Sequence, residues 1–185
     1  MNLYDKDNRF NIANLVTYLN VAFGVIAIYF IVKEDFFTAI IFAWLAGACD
    51  ITDGKLARKY KLSTEFGVQL DSFADFLSFV VMPPFLLFYA LKSGMHSSWE
   101  ELVIGLIFIA YIIAGLRRLI EFNLKADAGE VEKYFEGVPT PLGAILLWIL
   151  YLLFSYAIIP SIWVITALVV VIAWSMNSNI KIKHL

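Results

Sequence analysis

The fold of this chain is decided by residues 37–75, which read FTAIIFAWLAGACDITDGKLARKYKLSTEFGVQLDSFAD. The run IIFAWLAGAC at residues 40–49 is apolar, whereas residues 50–65 concentrate carboxylate and basic side chains. The apolar pattern then resumes around two further aspartates, Asp71 and Asp75. This pattern predicts two membrane helices joined by a short polar turn. A charged side chain inside such a helix costs about 3 kcal/mol, so these aspartates need a compensating partner.

The composition of the whole chain indicates that lipid surrounds it. Of its 185 residues, 61% are hydrophobic and 16% are charged, whereas soluble domains are usually less apolar. The net charge of −2 gives no indication of nucleic-acid binding. The single cysteine, Cys49, excludes an internal disulfide. We therefore predict an all-α integral membrane protein, with one domain over residues 1–185 and no nucleic-acid partner.

Six apolar stretches recur along the chain, each close to the 20 or so residues that cross a bilayer as a helix. They cover approximately residues 14–32, 37–56, 68–91, 102–119, 141–159 and 161–176. Pro83 and Pro84 lie inside the third stretch and are expected to kink it. The polar segment 1–11 is compatible with a short helix on the membrane surface, with Leu3, Tyr4 and Phe10 facing lipid.

The basic residues predict how the chain is oriented. Six spans place the N-terminus, the 2–3 loop, the 4–5 loop and the C-terminus on one side. That side carries 12 of the 14 basic residues, namely Lys6, Arg9, Lys55, Arg58, Lys59, Lys61, Arg117, Arg118, Lys125, Lys133, Lys181 and Lys183. By the positive-inside rule both termini are cytoplasmic. We expect a multi-pass protein of the cell membrane whose active site faces the cytoplasm.

The four aspartates form two pairs at helical spacing. Asp50 and Asp53 are three residues apart, and Asp71 and Asp75 are four apart, so each pair shares one helix face. A turn over residues 60–65 makes the two helices antiparallel neighbours, which allows the pairs to face each other. Clustered carboxylates repel one another unless protons or cations lie between them. Oxygen ligands of this kind suit Mg²⁺, Mn²⁺ or Ca²⁺ rather than zinc.

A structural salt network is the alternative interpretation of these charges. The aspartates would then pair with the basic side chains nearby, Lys55, Arg58, Lys59 and Lys61. This interpretation leaves unexplained why Asp75 lies more than two turns inside an apolar helix. It also does not explain the small residues around the aspartates, which are Gly47, Ala48, Gly54, Ala57 and Gly67. Small residues make room for a bulky phosphorylated ligand beside the metals, so we favour a metal site.

The same segment resembles a known family motif. Residues 50–75 match D-x2-D-G-x2-A-R-x8-G-x3-D-x3-D, the motif of the CDP-alcohol phosphotransferases, at all eight fixed positions. The resemblance implies a two-metal centre of Mg²⁺ or Mn²⁺ held by Asp50, Asp53, Asp71 and Asp75. It also implies that Asp75 is the general base.

The resemblance further implies where the cytidine diphosphate group binds. An Asn-x-x-Thr element of the first span is matched by Asn14 and Thr17, although Ala13 replaces the proline that usually precedes it. The positions implied for the nucleotide and its phosphates are Asn14, Thr17, Asp50, Asp53, Gly54, Ala57, Arg58, Gly67 and Asp71. Arg58 is the residue expected to contact phosphate.

Three further segments resemble the serine-specific branch of this family, the integral-membrane phosphatidylserine synthases. They are NLVTYLNVAFG at residues 14–24, RLIEFN at residues 118–123 and FEGVPTPLGA at residues 135–144. Other branches often carry arginine at the position of Asn20. The resemblance implies transfer of a phosphatidyl group from CDP-diacylglycerol, or an ether-lipid analogue, to the hydroxyl of L-serine, with release of CMP.

A serine pocket needs a cation for the carboxylate of its ligand, and Arg118 is placed to supply it. Asn123, Gly137 and Pro139 are the candidates that would close this pocket. Alternatively, Arg118 is a snorkelling residue that contributes only to the positive-inside bias.

Two other functions remain open at this point. One is the same chemistry with glycerol 3-phosphate, inositol or inositol phosphate as the acceptor, although an acceptor that carries phosphate should demand a further basic cluster. The other is divalent-ion transport, which would place the aspartates near the membrane midplane rather than beside a basic turn at one interface. The family resemblance also implies a homodimer.

Overall fold

The computed structural model of the chain describes residues 3–127, 134–178 and 181–183, and most of these residues are helical. In chain order the helical elements are α1 (Ile12–Val32), α2 (Phe36–Tyr60), α3 (Glu65–Asp75), a π-helical segment (Phe76–Val81), α4 (Met82–Lys92), α5 (Ser98–Asp127), α6 (Thr140–Ser155) and α7 (Ile162–Met176). A helix therefore lies at each of the six predicted stretches.

Four helical stretches in the described part of the chain have the length and apolar composition to cross a membrane. They are Ile12–Val32, Phe36–Tyr60, Glu65–Lys92 and Ser98–Leu124. The last two helices, α6 and α7, are also apolar but have only 16 and 15 residues. These helices support a multi-pass membrane protein. The full count of six spans stays a prediction.

Residues Met1–Ser78 form one compact unit, in which α1 packs against both α2 and α3. The interior of this unit is made largely of small side chains, such as Ala39, Ala43 and Ala46 of α2. From Asn14 onwards the buried residues of α1 recur every three or four positions and so lie along one face of the helix. The full set is Ala13, Asn14, Thr17, Asn20, Gly24, Ala27 and Ile31.

The third predicted stretch is not one continuous α-helix. The α-helical pattern ends at Asp75, is followed by the π-helical segment, and resumes at Met82 with Pro83 and Pro84 in the first turn of α4. A proline has no N–H group, so this pair leaves the carbonyls one turn earlier without their α-helical donors. The helix is therefore interrupted near the two prolines, where its type changes from α to π and back. The predicted kink angle stays a prediction.

Residues Phe79–Leu185 form a second compact unit. Within it α5 packs against α7, and α4 packs against α5 and α6. The core of this unit consists of large apolar side chains contributed by all four helices. They are Leu87, Leu91, Ile104, Phe108, Tyr111, Leu147, Leu150, Ile162, Ile165, Val169, Ile172 and Met176.

Two features differ from the all-helical prediction. In the second unit, Tyr134–Glu136 (β1) pairs antiparallel with Lys181–Lys183 (β2), in the register Phe135 to Ile182. In the first unit, residues 3–10 form turns, so the predicted surface helix is wrong for this segment. The carboxylate of Asp5 accepts a hydrogen bond from the N–H of Asp7, and the side chain of Asn8 accepts one from the N–H of Phe10. Such local side-chain bonds compete with helix formation.

Candidate active site

Three aspartates from two helices converge in the first unit. One carboxylate oxygen each from Asp50, Asp53 and Asp71 lies within 4.8 Å of the others. Asp50 and Asp53 are on α2, and Asp71 is on α3. The predicted meeting of the two helical pairs is therefore found for these three side chains. A cluster this tight is stable only with protons or cations between the carboxylates.

The turn between α2 and α3 brings the two helices together. Lys61 ends α2 in the left-handed conformation, with φ of 55°, which reverses the chain within a few residues. Leu62 is buried and holds the turn against the interior. The hydroxyl of Thr64 then caps α3 by accepting a hydrogen bond from the N–H of Gly67 at 3.0 Å. Asp71 follows Gly67 by about one helical turn and therefore lies on the same face.

Asp75 lies beside this group of three aspartates. Its carboxyl group lies next to that of Asp50, and its Oδ1 atom is buried without a hydrogen-bond partner. The fourth predicted ligand therefore lies next to Asp50, one turn along α3 from Asp71, but it is not among the three aspartates whose oxygens lie within 4.8 Å of one another. Its role as a ligand stays a prediction. A proton or a cation between Asp50 and Asp75 is needed to offset their repulsion.

The aspartates fit a divalent cation better than a salt network. The Oδ1 atoms of Asp71 and Asp75 are both buried without a hydrogen-bond donor, a condition that is costly for a carboxylate. Among the described side chains the recorded ion pairs are Lys92–Glu101 and Arg117–Glu121, so the alternative salt network is not formed there. A compact set of carboxylate oxygens with free lone pairs is a donor set suited to Mg²⁺ or Mn²⁺.

Helix α1 supplies a hydrogen-bond donor to the cluster. The hydroxyl of Thr17 donates to Oδ2 of Asp53 at 2.7 Å, and both residues are buried. One turn earlier, the side-chain amide of Asn14 donates a hydrogen bond to the carbonyl of Arg9 at 3.1 Å. The backbone N–H of Asn14 donates to the side chain of the cap residue Asn11. The start of α1 is therefore held rigidly next to the aspartates.

A pocket of about 230 Å³ opens in the first unit beside these residues. Its lining contains eight of the nine positions predicted for the cytidine diphosphate group, which are Asn14, Thr17, Asp53, Gly54, Ala57, Arg58, Gly67 and Asp71. The ninth position, Asp50, is not in the lining, but one of its carboxylate oxygens lies within 4.8 Å of those of Asp53 and Asp71, which are. Residues from three helices and one turn therefore surround a single cavity of the kind that binds small ligands.

Two glycines of the pocket lie near other side chains, and at Gly67 the approach is too close for a Cβ atom. A Cβ atom on Gly67 would lie 3.0 Å from Oδ1 of Asn14 and 3.3 Å from Oγ1 of Thr64, so α3 can approach α1 only because this side chain is absent. A Cβ atom on Gly54 would lie 3.4 Å from a terminal nitrogen of Arg58. The guanidinium of Arg58 thus lies over Gly54 at the pocket, where it can meet an anionic ligand.

The structure adds pocket residues that the sequence interpretation missed, which are Ala13, Leu62, Ser63, Thr64 and Val68. Thr64 could have been found, because a threonine before an acidic residue and an apolar run is typical of a helix start. Its position shows that the N-terminus of α3 opens at the pocket. The N–H groups of a helix N-terminus favour phosphate, which strengthens the anionic character expected of the ligand.

The residues predicted for the serine pocket all belong to the second unit. Arg118 is buried, with 5% of its surface exposed, although it is an arginine within α5. Asn123 lies on the same helix, and Pro139 precedes the first residue of α6 as its N-cap.

Gly137 has a structural explanation of its own. Its φ is 78°, a value that favours glycine, and a Cβ atom would lie 2.6 Å from the carbonyl oxygen of Met176. Its need for glycine is therefore accounted for by the backbone of this unit, whether or not a ligand binds nearby.

Comparison with known proteins identifies relatives over nearly the whole chain. The family model described as CDP-alcohol phosphatidyltransferase matches residues 10–176. The CDP-diacylglycerol–serine O-phosphatidyltransferase of Methanocaldococcus jannaschii is 33% identical over 170 residues, which cover 92% of this chain and 72% of the relative.

Proteins of the same name from two bacteria are also similar. The one from Bacillus subtilis is 29% identical over 137 residues, covering 74% of this chain and 72% of the relative. The one from Mycobacterium bovis is 27% identical over 134 residues, covering 70% of this chain and 45% of the relative. The chain thus spans less than half the length of the mycobacterial relative.

Proposed function

The chain belongs to the CDP-alcohol phosphatidyltransferase family, and on this premise we propose that it transfers a phosphatidyl group from a CDP-diacylglycerol-type lipid to L-serine. The observation that carries the proposal is the single pocket lined by eight residues of the nucleotide-binding pattern and joined to the aspartate cluster. The choice of serine is supported by the names of the relatives from three organisms.

In this proposal the pocket of the first unit binds the nucleotide diphosphate. Arg58 and the N-terminus of α3 face the phosphates, and Gly54, Ala57 and Gly67 leave room for the ligand. Asp50, Asp53, Asp71 and Asp75 would hold two divalent ions, Mg²⁺ or Mn²⁺. Such ions, when bound, neutralise charge on the diphosphate. Thr17 keeps Asp53 oriented through its hydrogen bond.

The transfer itself exchanges one phosphorus–oxygen bond for another. The hydroxyl oxygen of serine forms a bond to the lipid-side phosphorus, and the bond from that phosphorus to the oxygen of CMP breaks. CMP leaves with the bridging oxygen, and the hydroxyl proton goes to a carboxylate. We assign this proton to Asp75, whose Oδ1 atom is buried without a hydrogen-bond partner.

The acceptor is proposed to be recognised by residues of the second unit. Arg118 would bind the carboxylate of serine through two parallel hydrogen bonds, and Asn123, Gly137 and Pro139 would complete the pocket. The burial of Arg118 supports this role over a snorkelling one, because a snorkelling guanidinium reaches for water.

The membrane arrangement completes the proposal. Six spans with both termini in the cytoplasm place the basic α2–α3 turn, and with it the pocket, at the cytoplasmic face of the cell membrane. There a lipid-embedded donor can meet water-soluble serine. A single functional domain over residues 1–185 and a homodimer stay predictions of the family resemblance.

Two alternatives remain testable in the same assay. Glycerol 3-phosphate, inositol or inositol phosphate would replace serine if the family chemistry holds with another acceptor. Divalent-ion transport is disfavoured because the aspartates adjoin a pocket that suits an anion.

The decisive experiment uses the purified full-length protein with CDP-diacylglycerol, Mn²⁺ or Mg²⁺, and each candidate acceptor in parallel. We expect CMP release that depends on both metal and serine, and a phosphatidylserine product. Product formation with another acceptor and none with serine would reject the serine assignment while leaving the family chemistry intact. An ether-linked donor tested beside the ester-linked one defines the lipid.

A paired substitution tests the acceptor site. Arg118→Ala should raise the KM for serine about tenfold or more, because a charged two-bond contact is lost. Arg117→Ala is the matched control, since Arg117 is exposed and pairs with Glu121 at 2.9 Å on the same helix. Equal KM values for the two variants would return Arg118 to a purely structural role.

A further inference from the structure

A buried polar pair lies in the first unit, outside the pocket lining. The hydroxyl of Ser78 donates a hydrogen bond to Oδ1 of Asn20 at 2.6 Å. Asn20 is fully buried and Ser78 is 2% exposed. Asn20 follows Thr17 by one turn of α1, and Ser78 follows Asp75 by three residues. The pair therefore joins the two chain segments that carry Thr17 and Asp75.

The amide of Asn20 is only half satisfied. Its side-chain nitrogen is buried without a hydrogen-bond partner among the described residues. Its side-chain oxygen accepts the hydrogen bond from Ser78. A buried amide in an apolar helix costs stability, and two apolar side chains of similar volume would fill the space more favourably. Packing alone therefore does not explain this pair, which points to a role in holding the two segments in a fixed position.

At the same junction two side chains pack closely on Gly24, one turn beyond Asn20 on α1. A Cβ atom on Gly24 would lie 3.1 Å from Cδ2 of Leu77 and 3.4 Å from Oγ of Ser78. Both neighbours belong to the π-helical segment. α1 therefore contacts this segment at two successive turns, by a hydrogen bond at Asn20 and by direct packing at Gly24.

The π-helical segment begins at the residue after Asp75. A π-helical turn is rare and is less favourable than an α-helical one, so it persists where surrounding contacts hold it. Asp75 is the last residue of α3 before this segment, and its side chain lies beside Asp50. Contacts that fix Leu77 and Ser78 consequently fix Asp75 as well.

We propose that Asn20 and Ser78 are a positioning pair, which holds the π-helical turn against α1 and thereby keeps Asp75 beside Asp50. Neither residue is part of the pocket lining described above, and both would act through Asp75. The inference rests on the proposed role of the aspartates as metal ligands, and it does not depend on which alcohol is the acceptor.

The test compares Asn20→Leu, Ser78→Ala and the double variant in the full-length protein. Mn²⁺ binding without substrates, followed by electron paramagnetic resonance, should weaken about tenfold in each, as for residues that orient metal ligands. The double variant should be no weaker than either single variant, because both remove the same interaction. Ser78→Thr retains the hydroxyl and should retain the Mn²⁺ affinity.

Turnover provides the second readout. At saturating Mn²⁺ the variants should lose kcat about tenfold while the KM for the alcohol acceptor changes less than about twofold, because the acceptor contacts are untouched. Thr166→Val is the matched control. Thr166 is also buried in a helix, but its hydroxyl donates to Ile162 of the same helix at 2.7 Å. This control should leave both readouts unchanged.

A pair of glycine variants tests the same junction without removing a polar group. Gly24→Ala should weaken Mn²⁺ binding, because the added methyl group pushes against Leu77 and Ser78. Gly105→Ala, on α5, is its control, since a Cβ atom there would make an ordinary contact of 3.7 Å with Phe88 and would lie outside the proposed binding site. Equal Mn²⁺ affinities for these two variants would contradict the proposal.

The remaining outcomes are also decisive. Wild-type Mn²⁺ affinity in Asn20→Leu and Ser78→Ala would overturn the positioning role, whatever happens to activity. Weakened Mn²⁺ binding in these variants, together with absence of serine-dependent product in the wild type, would support the positioning pair and reject only the proposed acceptor.

Discussion

The two compact units have interiors of opposite character. The first is lined by alanines and by buried polar groups, including Asn14, Thr17 and Asp53. The second is filled by leucines, isoleucines and valines with Phe108, Tyr111 and Met176. Small side chains let helices approach closely enough for polar groups on three helices to meet, whereas large ones fill space and contribute dispersion energy.

This difference teaches that burial has separate purposes in the two units. In the first unit the buried groups form the pocket and the aspartate cluster, so a substitution there should act on ligand binding and turnover. In the second unit a substitution among the large apolar side chains of the core should act on stability, whereas the buried Arg118 belongs to the proposed acceptor site. Single substitutions in each unit test this separation.

The largest effect is expected for Asp71→Asn. Loss of one carboxylate from the cluster should reduce CMP release on the order of a thousandfold, because charge stabilisation at the diphosphate is weakened. Stability should not fall, since removing a buried unpartnered charge relieves repulsion. Asp35→Asn is the control, because Asp35 is the exposed N-cap of α2 and asparagine caps equally well. If Asp71→Asn keeps activity within tenfold of wild type, the buried groups of the first unit do not have the proposed role in turnover.

Leu147→Ala should separate stability from activity in the opposite direction. Leu147 is 1% exposed in the core of the second unit, so the cavity should lower the free energy of unfolding by about 2–5 kcal/mol. Unfolding by sodium dodecyl sulfate in mixed micelles measures this loss, and kcat per folded molecule should change less than about twofold. Ile149→Ala, on the same helix but 46% exposed, should cost much less. A matching fall in kcat would show that the two interiors are not separable.

Gly67→Ala should have a smaller effect, confined to the pocket. The added Cβ atom would lie 3.0 Å from Asn14, so the N-terminus of α3 must shift by a few tenths of an ångström. We expect the KM for the CDP-lipid to rise about tenfold. Gly105→Ala, in α5 of the second unit, is the control, because its Cβ atom would make an ordinary contact of 3.7 Å with Phe88. Equal KM values would mean that the pocket tolerates this shift.

Sequence reasoning predicted the helices and the aspartate cluster because both depend on local patterns. Apolar length identifies a membrane helix, and spacings of three and four place Asp50 with Asp53 and Asp71 with Asp75 on shared faces. Because the basic turn between them is short, the two helices must lie side by side. The structure finds Asp50, Asp53 and Asp71 together, as expected.

The contribution of α1 was harder to predict. Its overall hydropathy is that of any membrane helix, and the donor role of Thr17 depends on how α1 packs against α2. The π-helical segment is a tertiary effect that the two prolines signal only in part. The pairing of β1 with β2 joins segments some 45 residues apart, and neither three-residue sequence indicates that it forms a strand or with which segment it pairs.

The stripe of Asn14, Thr17, Asn20 and Gly24 along α1 has a consequence for comparing variants and distant relatives. Each residue of an α-helix advances the chain by about 100° around its axis. A single insertion between Thr17 and Asn20 would leave composition, hydropathy and span length nearly unchanged. It would nevertheless turn Asn20 and Gly24 about 100° away from the face that Thr17 presents to Asp53. Insertions and deletions in α1 are therefore more damaging than most substitutions, and gap placement in this helix distinguishes functional relatives from mere membrane proteins.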